Sequence, residues 1–111
     1  MLISVVELPD FVRRSKALMT ESERTELISY LAANPTAGVA LGGGLYKLRV
    51  AREGGGKSGG FRSIHYYISG DSPVLLLTLF AKSEKSNLSA AELADLLKLS
   101  ELLAAHYRRK S

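Results

Sequence analysis

The chain has 111 residues, 46% of them hydrophobic, a length and apolar content that predict one domain, residues 1–111, around a single core. The absence of cysteine excludes disulfides, zinc–thiolate sites and thiol nucleophiles, and the chain is expected to work in the cytoplasm. Fifteen Lys and Arg against eleven Asp and Glu leave a net charge of +4, and the crowding of basic residues between Lys47 and Arg62 suggests a polyanionic partner.

Residues 1–6 are apolar but lack leading basic residues and run into Glu7, so no export signal is predicted. Residues 2–6 alternate weakly and predict a short strand that Pro9 interrupts. A first helix is expected from about residue 10 to 18, with Asp10 as its cap. Thr20-Glu21-Ser22-Glu23 has the form of a capping box, in which cap hydroxyl and carboxylate each take the other's backbone N–H. The helix it starts carries Leu27, Ile28, Leu31 and Ala32 at helical spacing and ends at Asn34-Pro35.

Residues 38–44 read as a turn-rich connection. Residues 45–51 then alternate, with Tyr46, Leu48 and Val50 facing inward and Lys47, Arg49 and Ala51 outward, which predicts a half-buried strand with a basic outer face. A glycine-rich loop over residues 54–60 joins it to a second strand over 61–68, and a turn at 70–73 leads to residues 74–81, a strand apolar on both faces. That apolar run is far shorter than the roughly 20 residues a membrane helix needs, and no membrane span is expected. Three sequential antiparallel strands make a meander. A second capping box, Ser89-Ala90-Ala91-Glu92, opens a last helix with Leu93, Leu96, Leu97, Leu99, Leu102 and Leu103 as its stripe and Arg108-Arg109-Lys110 at its end.

Between Lys47 and Arg62 stand five basic residues, Lys47, Arg49, Arg52, Lys57 and Arg62, and one acidic residue, Glu53. Gly56-Lys57-Ser58 has the look of a phosphate-binding loop, but Ala51 stands where that motif needs its first glycine, and a strand follows in place of a helix. No metal site is expected, because neither His65 nor His106 has carboxylates at ligand spacing. His106 reads as a solvated residue near a helix end and His65 as a packing residue. Lys47 and Arg49 on one strand, Arg62 on the next, and Lys82 and Lys85 after the third form a positive face able to hold a phosphodiester and neutralise charge developing on it. A plain solvated basic face accounts for the same pattern.

The order of elements, the segment Gly44-Leu45-Tyr46-Lys47-Leu48-Arg49-Val50-Ala51, the loop ending Gly59-Gly60-Phe61-Arg62 and residues 77–86 together resemble the RelE/HigB toxins of bacterial toxin–antitoxin modules. The long loop over 52–60 resembles the HigB branch in particular. The resemblance implies an α+β fold: a small antiparallel sheet packed with an N-terminal helical hairpin and a C-terminal helix. It implies a ribosome-dependent mRNA endoribonuclease without a cofactor, in which a ribose 2′-OH attacks the adjacent phosphate. Its partners would be a cognate antitoxin, the ribosome and mRNA. Lys47 and Arg49 match the paired basic residues of the family's second strand, Arg62 the arginine opening the third, and Lys82 a basic position after the last strand. These are the implied catalytic residues, with Arg52, Lys57, Tyr66 and Lys85 as RNA contacts. Where relatives carry an arginine and then a tyrosine after the last strand, this chain has Ser83 and Ser89, so either Lys82, Lys85, His65 or Tyr66 takes the proton-carrying part or cleavage depends more on ribosomal groups that position the substrate. A ParE-like gyrase poison and a non-catalytic nucleic-acid-binding domain are the alternatives.

Overall fold

Among the residues described, the elements follow one another as β1 (Val5–Glu7), α1 (Pro9–Leu18), α2 (Glu21–Ala33), β2 (Val39–Gly42), β3 (Leu45–Val50), β4 (Phe61–Tyr66), β5 (Val74–Ala81) and α3 (Ala90–Lys110). The computed structural model describes residues 2–52, 60–70, 72–85 and 87–110, the side chains of Arg109 and Lys110 excepted. The strands form one sheet in the order β1-β5-β4-β3-β2. β1 runs parallel to β5 and every other pairing is antiparallel, so the fold is α+β, as expected.

The helices begin where local chemistry starts them. Pro9 opens α1, because a proline at the first helical position loses no hydrogen bond. Asp10 is not the cap. Leu8 holds that position without a capping side chain, while the Asp10 carboxylate sits in the first turn, accepting from the Thr78 hydroxyl of β5 and pairing with Arg13. Both capping boxes form as expected. Thr20 Oγ1 accepts from the Glu23 N–H at 3.0 Å and Glu23 Oε1 from the Thr20 N–H at 2.8 Å. The Ser89–Glu92 pair repeats this at 3.1 and 2.8 Å. No helix among the described residues is long and apolar enough to cross a membrane.

The strand missing from the expected meander is β2. Gly43 and Gly44 both have positive φ, +66° and +103°, and make the two-residue turn that folds β2 back on β3. Gly38, at φ +97°, enters β2 so close to β3 that a Cβ there would stand 2.3 Å from the Lys47 carbonyl oxygen. Two boundaries also shift: the first strand covers 5–7 instead of 2–6, and β4 ends at Tyr66 instead of residue 68.

The sheet is covered on both sides. Phe11, Leu27 and Leu31 of α1 and α2 pack on Phe61, Leu76 and Leu79, with Leu48 and Val50 beside them. On the other face Leu93, Leu96, Leu97 and Leu103 of α3 pack around Leu45, Ile64, Tyr66, Leu75, Leu77 and Phe80. A bulge explains how β5 serves both clusters: Ile64 pairs with Thr78 but His65 with Leu76, leaving Leu77 unopposed and shifting the alternation along the strand. Each fully buried Leu or Phe contributes about 1.5–3 kcal/mol.

Candidate functional site

Strand alternation sorts the basic residues before any side chain is considered. Leu45 of β3 and Ile64 and Tyr66 of β4 lie under α3, while Leu48, Val50 and Phe61 lie under α1 and α2. Lys47, Arg49 and Arg62 therefore share the α3 face. The register then lines them up: Arg49 stands directly opposite Arg62, and Arg62 directly opposite Phe80, a row crossing three strands. Lys47 sits one row back, opposite Ile64. Phe80 is buried, and the Lys85 ammonium stands 5.5 Å above its ring, which brings a further cation to the end of the row.

Placing Arg49 against Arg62 is unfavourable for folding, since like charges opposite one another on neighbouring strands repel. Arg49 is exposed and Arg62 half-buried, with one guanidinium nitrogen donating to the Phe61 carbonyl at 3.1 Å.

The lysines are held by the segment leading into α3. Lys47 Nζ donates to Asn87 Oδ1, and Lys85 Nζ pairs with Glu92 Oε2 at 2.9 Å. The same Glu92 carboxylate caps the Ser89 N–H, and the cap first, then Lys85, pulls its pKa down to about 2. Asn87 and Glu92 did not stand out in the sequence as site residues. The Glu92 cap was legible, but its hold on Lys85 spans a turn that local pattern does not describe.

The remaining expected site residues are dispersed. Arg52 lies over the Phe61 ring at 5.5 Å and so belongs to the opposite face, where it lines a cleft of about 580 Å³ with Glu23, Glu26 and Tyr30, a cleft that Arg49 borders as well. Lys82 is exposed beside Gly60, its N–H donating to the Gly60 carbonyl at 3.1 Å. Lys57 lies outside the described residues.

Tyr66 has to be corrected as an RNA contact. It is 4% exposed in the cluster beneath α3, where burial first, and Glu101 second, raise its pKa. A base has no open ring face to stack on. Tyr66→Phe is expected to leave any cleavage activity within about twofold, measured on purified protein; a larger loss would restore the phenol to the site.

His65 is also internal, as its packing role predicts. Its ring stacks on Tyr46 with centroids 5.3 Å apart, and Nε2 donates to the Pro35 carbonyl at 2.9 Å. Burial pushes its pKa down to about 4, so the ring is neutral and faces away from the cationic row. His106 is exposed on α3. Among the described residues no group of three or more His, Cys, Asp and Glu is placed to hold a metal ion.

A family model described as the RelE toxin of the RelE/RelB toxin–antitoxin system matches residues 9–110, nearly the whole chain. The chain belongs to the RelE toxin family and is the toxin of a toxin–antitoxin pair, with an antitoxin as its partner.

Proposed function

We propose that this toxin is a ribosome-dependent mRNA endoribonuclease that arrests translation in the cytoplasm, acting as a single domain. The observation that carries the reading is the Arg49–Arg62–Phe80 row with Lys85 at its end and Lys47 behind it. Such a row matches what phosphodiester cleavage demands. The ribose 2′-oxygen attacks phosphorus, the P–O2′ bond forms as P–O5′ breaks, and negative charge builds on the non-bridging and leaving oxygens. Arg49 and Arg62 supply planar donors for the non-bridging oxygens, an interaction that strengthens as their charge grows. Lys82 or Lys85 donates the proton that the 5′-oxygen needs on departure, and the proton lost by the 2′-oxygen passes to solvent water.

His65 and Tyr66 drop out as proton carriers because both are enclosed in the core. That leaves the chain's own contribution weighted toward charge stabilisation, with alignment of the 2′-OH falling to the ribosome that holds the message. The HigB-like assignment rests on the loop over 52–60, of which residues 53–59 lie outside the described residues.

The test is to express the toxin in a translation extract and map message ends with and without ribosome engagement. Cuts confined to ribosome-engaged message support the reading. Intact message with accumulating gyrase–DNA breaks would replace it with a gyrase poison, and RNA binding without cleavage with a binding domain.

A further inference from the structure

Lys82 and Lys85 sit on the turn that follows β5, and a turn this short and exposed needs something to hold it. β1 covers the outer edge of β5 only as far as the Glu7–Leu76 pair, so beyond Leu76 that edge has no strand neighbour among the described residues. Arg14 of α1 occupies the space. Its Nε donates to the Leu79 carbonyl on that edge, and its Nη2 reaches Glu84 Oε2 at 2.7 Å. The other carboxylate oxygen of Glu84 accepts from the Ala81 N–H at 3.1 Å, and the Glu84 N–H closes the turn onto the Ala81 carbonyl at 3.0 Å.

One guanidinium thus joins a helix, a strand edge and the turn, using donors fixed in a plane. An exposed ion pair of this kind contributes little to stability. Its geometric effect is larger, because the carboxylate it grips is itself part of the turn's hydrogen bonding. Ordinary surface attraction needs neither the Leu79 carbonyl nor the Ala81 cap.

We infer that Arg14 and Glu84 are positioning residues that hold the 81–85 turn so that Lys85 stands at the end of the cationic row. For its effect on cleavage, the inference rests on the function proposed above. Glu84 is held ionised by the Ala81 N–H first and Arg14 second, consistent with a clamp that persists below neutral pH. Arg14 also lines a cleft of about 320 Å³ together with Lys85, so the clamp and the lysine it positions border the same space.

Two readouts on the folded full chain test this separately. Hydrogen exchange in Arg14→Ala and Glu84→Ala is expected to speed up about tenfold at amides 81–85, with amides 75–79 unchanged. Glu84→Gln keeps an oxygen for the Ala81 N–H and Arg14→Lys keeps the charge; each is expected to restore part of the protection. In ribosome-dependent cleavage both alanine variants are expected to lose about tenfold or more in kcat, with KM for programmed ribosomes within about twofold, because a displaced group costs rate before it costs binding. The double variant is expected to be no worse than either single one, as for residues acting as a unit.

Unchanged exchange at 81–85 overturns the clamp, and a loosened turn with undiminished kcat overturns its part in positioning Lys85 for cleavage. If the unsubstituted toxin cleaves nothing, the nuclease reading fails, and the exchange pattern alone still decides whether Arg14 and Glu84 hold the turn.

Discussion

Arg62→Ala is expected to lower cleavage of ribosome-engaged message by about 10²-fold or more while leaving the melting temperature unchanged or slightly raised. The first half follows from losing a charged donor aimed at the developing phosphate charge, a loss that costs about 10²–10³ in comparable oxyanion sites. The second half follows from the register. Arg62 stands directly across from Arg49, and removing one of two opposed cations relieves repulsion that folding must otherwise overcome. The substitution gives up one hydrogen bond to the Phe61 carbonyl, about 1 kcal/mol, in exchange. Lys98→Ala, on the exposed surface of α3, is the charge-matched control and is expected to change neither quantity. Full activity in Arg62→Ala would put the active face elsewhere, and a cooperative loss of structure would make Arg62 a framework residue.

The second large effect concerns acid. His65 is fully buried with its pKa lowered to about 4, against 6.5 in the unfolded chain. Between those values the unfolded state binds a proton that the folded state refuses, so stability is complete above about pH 6.5 and declines as pH falls toward 4. The loss is expected to reach about 3 kcal/mol, a large part of the 5–15 kcal/mol typical of a domain. Denaturant unfolding at several pH values reads it directly. His65→Gln keeps a donor for the Pro35 carbonyl but cannot titrate in this window, so its stability is expected to stay nearly flat from pH 6.5 to 4. The lowered carboxylates Asp10, Glu84 and Glu92 act in the same direction as pH falls below their ordinary values of 3.8 and 4.5, and both variants share them. An equally steep decline in His65→Gln would clear the histidine of responsibility. Cleavage near neutral pH should survive this substitution, because the ring faces the helical hairpin and not the cationic row.

Local pattern in the sequence was enough to read the helices, the alternation of β3, the doubly apolar β5 and the face shared by Lys47 and Arg49. Each depends on neighbours a few residues apart: a cap and its N3 carboxylate, a period of two, a helical stripe. The β2 hairpin belonged to this class as well, since Gly43-Gly44 between two extended runs is a two-residue turn signal, here submerged in a glycine-rich stretch. Tertiary structure alone decided the rest. The parallel β1–β5 pairing joins segments about seventy residues apart, with no turn between them to announce it. Tyr66 resembled an exposed aromatic beside cations until α3 was laid over it, and Arg52 turned to the opposite face to rest on Phe61. Nothing in the local pattern singled out Arg14, which packing set against the open edge of β5. Short-range sterics and hydrogen bonding write themselves into adjacent residues, whereas which surface covers which depends on burial summed over the whole chain, and no single segment contains it.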